Sequence, residues 1–103
     1  MRAFERRKYP RYGFQSDAEL VEGQEARRAF ITDISMAGMF VVTDAPLLVG
    51  ASCTVRLLLS PPLVLDCVVR RVWPGKGMGV EFAKPSEATR ARLEKLITSL
   101  VEQ

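Results

Sequence analysis

Apolar residues recur at every second position through much of the chain. Cys53, Val55, Leu57 and Leu59 alternate with residues that include Thr54 and Arg56, which is the period of a strand with one buried face. Residues 64–73 read the same way, with Leu65, Cys67, Val69 and Trp73 predicted on one face and Asp66 and Arg70 on the other. Residues 27–34 put Ala29 and Ile31 together, and residues 14–21, 39–43 and 79–82 are further β-rich runs. Turn formers separate the runs: Glu22-Gly23-Gln24-Glu25, Asp44-Ala45-Pro46, Ser60-Pro61-Pro62 and Pro74-Gly75-Lys76-Gly77. Neither proline of the Ser60 turn can donate to a ladder, so no strand passes through it. Six short strands with close turns predict an antiparallel barrel, since closure removes exposed edges.

The period changes at the C-terminus. Residues 88–102 hold few turn formers, and Leu93, Leu96, Ile97, Leu100 and Val101 follow the spacing of one helical face. Pro85 suits a helix start, and Glu87 complements the positive end of the helix dipole. The apolar stripe fits packing on the barrel; a dimer or partner surface is the alternative use for it.

Length and charge refine this picture. A chain of 103 residues suits one domain, with any site on the surface or at a barrel mouth. The charged N-terminus has no apolar run behind it, as a signal peptide would, and no stretch is long enough to span a bilayer. A cytoplasmic location with Cys53 and Cys67 reduced and buried follows as the expectation. The net charge of +3 is unevenly placed. Residues 1–12 carry five basic side chains against Glu5, a net +4, while the remainder carries ten basic and eleven acidic, a net −1. The chain thus divides into a flexible basic arm, residues 1–12, and a barrel with its helix, residues 13–103. A basic arm suggests an anionic partner, although solubility alone also accounts for one.

Catalytic chemistry has little to stand on. The chain has no histidine, which removes the commonest general base and metal ligand. Two cysteines do not complete a zinc site, and Ser35 has no histidine to activate it. Gly75-Lys76-Gly77-Met78-Gly79 lacks the phosphate-loop spacing and reads as a hairpin turn. The expectation is a protein that is not an enzyme and needs neither metal nor cofactor.

Two motifs remain. Arg7-Lys8-Tyr9-Pro10-Arg11 is an RxxxR segment with Arg6 just before it, and Pro10 keeps Tyr9 extended. Asp33-Ile34-Ser35-Met36-Ala37-Gly38 lies between two strands and places a carboxylate and a hydroxyl two residues apart. Gly38 allows the backbone to turn or to approach a ligand closely. A turn in which Asp33 and Ser35 bond local backbone accounts for the same residues.

Together the two motifs resemble the signature of the PilZ domain family, RxxxR followed by (D/N)xSxxG. Gly77-Met78-Gly79-Val80-Glu81-Phe82 is similar to that family's last strand, GxGVxF. The resemblance runs from Arg6 to the final helix. It implies a six-stranded antiparallel PilZ-type β-barrel, all-β apart from its C-terminal helix. It also implies the ligand, cyclic di-GMP, and a receptor or adaptor that signals to a protein partner. By the family pattern Arg7, Arg11, Asp33, Ser35 and Gly38 bind the ligand. Arg6 is added where two stacked ligand molecules bind, and Arg71 on the barrel is a further candidate without a motif. Arginine suits such a ligand because it pairs with phosphate or the guanine O6/N7 edge through two hydrogen bonds, and it stacks on bases. The carboxylate of Asp33 accepts from guanine N–H groups, and Ser35 can donate to a phosphate or a guanine acceptor. The arm is expected to order on binding, in a chain that is a monomer or homodimer. A small nucleic-acid-binding barrel and a PilZ-like adaptor for protein alone are the alternatives. The slightly acidic barrel opposes the first, so nucleic acid is not an expected partner, and the intact arginine motif opposes the second.

Overall fold

The computed structural model describes residues 9–102. Six strands precede one helix: β1 (Tyr12–Glu22), β2 (Glu25–Ile34), β3 (Gly38–Val42), β4 (Ser52–Leu57), β5 (Leu63–Trp73), β6 (Gly77–Phe82) and α1 (Glu87–Val101). All pairings are antiparallel, and the strands close into a barrel in the order β1-β2-β3-β6-β5-β4. The expected architecture is therefore present. The closing seam joins β1 to β4 through four registered pairs, from Ala18↔Leu57 to Val21↔Thr54. The first hairpin is tighter than the sequence suggests, because β1 and β2 run up to the two-residue turn at Gly23 and Gln24.

Alternation builds the core. Leu20, Ile31, Val41, Val55, Leu57, Leu65, Val69 and Met78 all point inward and are buried. Cys53 and Cys67 are opposite each other in the β4–β5 register, and both are free and buried. Burial pushes the Cys53 thiol up, helped by Glu22. Burial raises Cys67 further, with Cys53 and Asp66 adding to it. Both remain protonated as small core hydrophobes.

Helix α1 begins at Ser86, a cap that the sequence pattern did not suggest: its side chain accepts from the Thr89 N–H. The helix packs against β1 and β5. Leu93 and Ile97 are buried, and Leu96 and Leu100 pack on the core, whereas Val101 remains exposed. The stripe is thus mainly a packing face. Arg92, beside this stripe, fastens the helix to the barrel by donating to the Pro61 carbonyl at 2.7 Å and the Pro62 carbonyl at 2.8 Å. Among the described residues no helix is long and apolar enough to cross a membrane.

One expected face is wrong. Trp73 does not share the buried side of Leu65, Cys67 and Val69 but is 42% exposed. The cause is a register shift between Val69 and Arg71 opposite β6. One extra residue in a strand reverses the direction of everything after it. Two other ladders shift as well, β1–β2 between Gly13 and Ser16 and β2–β3 between Ile31 and Asp33.

Candidate functional site

The three shifts border a single row of paired residues around the barrel. Gly13 pairs with Asp33, Asp33 with Phe40, Phe40 with Gly79, and Gly79 with Arg71. Bulges re-aim side chains, and they collect at barrel rims and binding sites. On β2 the irregularity lets Ile31 and Ile34 both face the core, while Asp33 between them stays partly exposed.

Arg11 and Asp33 meet at this rim. Arg11 Nη1 donates to Asp33 Oδ1 at 2.5 Å, with side chains 34% and 31% exposed. The final arginine of RxxxR and the first residue of the second motif are thus brought into direct contact. The carboxylate fixes one N–H of the guanidinium fork, which carries five. Arg11 forms no other side-chain hydrogen bond among the described residues. A half-exposed guanidinium with free donors is able to receive a phosphate or a base edge. Arg6 and Arg7 lie outside the described residues.

Ser35 is only 3% exposed, and its hydroxyl turns into the loop. It donates to the Gly38 carbonyl at 3.2 Å and accepts from the N–H groups of Ala37 at 3.0 Å and Gly38 at 3.1 Å. One donor and two acceptor sites are all a hydroxyl has, so this one is fully engaged. The Ser35 N–H also donates to the Gly38 carbonyl at 2.8 Å. Of the two roles open to this serine in the sequence, closing the turn is the one its geometry performs.

Gly38 is not at a left-handed position. What it supplies is close approach: a Cβ there would lie 2.1 Å from the Val80 carbonyl oxygen of β6. The Asp33–Gly38 segment is drawn onto β6 by this contact and by the Phe82 N–H, which donates to the Ala37 carbonyl at 2.8 Å. Asp33 therefore stands on a braced turn rather than on a loose loop.

Of the outward face beyond Asp33 the sequence suggested Arg71 alone. Phe40 and Trp73 pack edge to face, with ring centroids 5.3 Å apart, and Arg71 is exposed on the same strand as Trp73. Beneath these side chains β6 presents two glycines: a Cβ at Gly77 would meet the Phe40 ring at 2.8 Å, and one at Gly79 would have 3.8 Å to Arg71 Cβ and 3.9 Å to the Trp73 ring. The signal available in the sequence was the break in alternation at Arg70-Arg71, two charged residues in succession where one should have been apolar. A cleft of about 270 Å³ beside Cys53, Cys67 and Asp66 shares no residue with this rim. No group of three or more His, Cys, Asp or Glu among the described residues could hold a metal.

The family model for the PilZ domain matches residues 5–99. Among solved structures, the PilZ domain of YcgR from Escherichia coli with c-di-GMP superposes with a TM-score of 0.75 at 17% identity, covering 94% of this chain and 92% of that one. The Bacillus subtilis inhibitor of motility MotI/DgrA gives 0.75 at 22% identity, over 94% of this chain and 52% of that one. The PilZ domain of CeSA from a cellulose-synthesizing bacterium gives 0.70 at 20% identity, over 88% and 97%. The chain thus spans about half of the motility inhibitor and nearly all of the two isolated domains. No curated protein matches the sequence.

Proposed function

Since the chain belongs to the PilZ domain family, we propose that it is a cyclic di-GMP receptor with no catalytic activity, holding the ligand on the Arg11–Asp33 rim. The observation that carries this is the direct pairing of Arg11 with Asp33, which joins the two signature motifs into one polar site. Arg11 engages a phosphate or the O6/N7 edge of one guanine. Asp33 accepts from N–H groups on that base's other edge. Arg6 and Arg7 join from the arm, while Ser35 and Gly38 hold the turn on which Asp33 stands. The arm gathers around the ligand, and the surface so formed is read by a protein partner. Because Arg11 is already tied to β2, the segment that changes most on binding is the one before it. The two-state change derives its energy from the ligand's preference for the gathered form.

Calorimetric titration with cyclic di-GMP and with cyclic di-AMP tests the reading. Cyclic di-GMP should bind at least 10-fold more tightly, since adenine places a donor where guanine presents O6. Arg11→Ala and Asp33→Ala should each cost about 10- to 100-fold in affinity, the range of a hydrogen bond to a charged group. They should change stability by less than about 1 kcal/mol, as expected for a partly exposed ion pair. Equal affinity for the two dinucleotides, or variants that bind like the wild type, would reject the site.

A further inference from the structure

We propose that the turn at Leu48 and Val49 is a lipid-docking tip, by which the chain rests on an anionic membrane surface. The loop between β3 and β4 departs from the polar composition of most connections, because Leu47-Leu48-Val49 sets three aliphatic residues in succession. Leu47 packs on the core. Leu48 is 83% exposed and Val49 63%, the highest values of any large apolar side chain among the described residues. Two neighbouring aliphatic side chains left in water mark a surface that something apolar covers.

The tip is held in place. Val49 and Gly50 are the central residues of a turn closed by the Ala51 N–H, which donates to the Leu48 carbonyl at 3.0 Å. Gly50 supplies the positive φ, 91°, that the second corner of such a turn requires. The Gly50 N–H donates to the Val69 carbonyl of β5 at 2.8 Å, and the Thr43 N–H to the Lys76 carbonyl at 3.1 Å. Arg27 of β2 donates to the Ala45 carbonyl at 2.6 Å. These contacts bring Arg27 and Lys76 to the base of the loop, and Arg71 is exposed two residues beyond Val69. Asp44 is the only carboxylate in the loop. An apolar tip above a cationic base matches the two layers of an anionic bilayer surface, acyl chains beneath phosphate headgroups. A protein partner fits less well. Two side chains cover far less than the ~800 Å² per partner of a stable protein interface, whereas a bilayer accepts a small insertion and adds attraction from each cation beside it.

Co-sedimentation of the full chain with vesicles tests this, using phosphatidylglycerol mixed with phosphatidylethanolamine, and phosphatidylcholine alone as the neutral control. The wild type should pellet with the anionic vesicles far more than with the neutral ones, and less as salt screens the cations. Leu48→Ser and Val49→Ser leave every charge in place, so they separate the tip from the basic arm, which also attracts anionic lipid. Each should lower partition onto the vesicles about 10-fold, the transfer free energy of one aliphatic side chain, while melting within a few degrees of the wild type. Partition unchanged in both variants would assign adhesion to the arm and overturn the tip. A wild type that ignores both kinds of vesicle would overturn it as well. So would sedimentation velocity showing a dimer that both variants dissolve, since a second copy would then be what covers Leu48 and Val49.

Discussion

The β4–β5 ladder and the Arg11–Asp33 rim use the same antiparallel pairing to opposite ends. From Ser52↔Val68 to Leu57↔Leu63 the β4–β5 register runs without a shift. Its inward residues, Cys53, Val55, Leu57, Leu63, Leu65 and Cys67, are all buried. Among its outward residues Thr54 donates to Asp66 across the strands at 3.0 Å. The rim departs from regularity in three ladders, and there Asp33, Arg71 and Trp73 reach the surface. An unbroken period spends every side chain on closing the barrel. A broken period frees a few of them, and the structure must then brace the break by other means. Here the brace is the Ser35–Gly38 turn and its seat on Val80.

The sharpest way to break the comparison is to remove the brace. Gly38→Ala places a carbon against the Val80 backbone oxygen, 2.1 Å away before relaxation. Backbone on both sides leaves little to yield, so the cost should reach about 3 kcal/mol. In a domain of this size that is a drop of more than about 10 °C in Tm. A thermal melt equal to the wild type would show that the turn does not depend on this contact.

A smaller effect is expected from Ser35→Ala. It strips the partner from the Ala37 and Gly38 N–H groups, and an unsatisfied buried donor costs about 1–3 kcal/mol. Chemical denaturation should register the loss in the unliganded protein. Full stability combined with lost cyclic di-GMP affinity would mean that the hydroxyl leaves the turn to meet the ligand.

The smallest effect belongs to the regular side. Burial raises Cys67 above the ordinary thiol value of 9.0, so the folded chain keeps a proton that the unfolded chain gives up. Stability from this group is intact below pH 9 and declines as pH climbs above it. Cys67→Ala should flatten that part of the decline in denaturation curves compared between about pH 8 and about pH 10.5. An unchanged slope would mean the thiol does not contribute to it.

Periodicity made the regular side legible: Cys53, Val55 and Leu57 announce their strand, and Leu93 and Ile97 announce the helix. The breaks were less legible, since a one-residue bulge depends on the partner strand, and Val69-Arg70-Arg71-Val72 does not by itself say where the face reverses. That error misplaced Trp73 and hid its contact with Phe40. The motif residues were visible as letters, yet their division of labour was not. Whether Ser35 faces inward depends on bonds to Ala37 and Gly38, and why residue 38 is a glycine depends on Val80, far along the chain.

The β1–β4 seam bears on how the molecule is made. Its four pairs join residues 18–21 to residues 54–57, so a strand from the start of the chain must wait for one near its middle. The β3–β6 ladder is long-range as well, pairing residues 38–42 with residues 77–81. Chains dominated by distant pairings fold in milliseconds to seconds, slower than helical bundles of equal length, because the loop entropy is lost before the contacts compensate for it. On a ribosome, β1 emerges with its hairpin partner β2 but without β4. Until the seam shuts, each nascent copy presents an open strand edge to its neighbours.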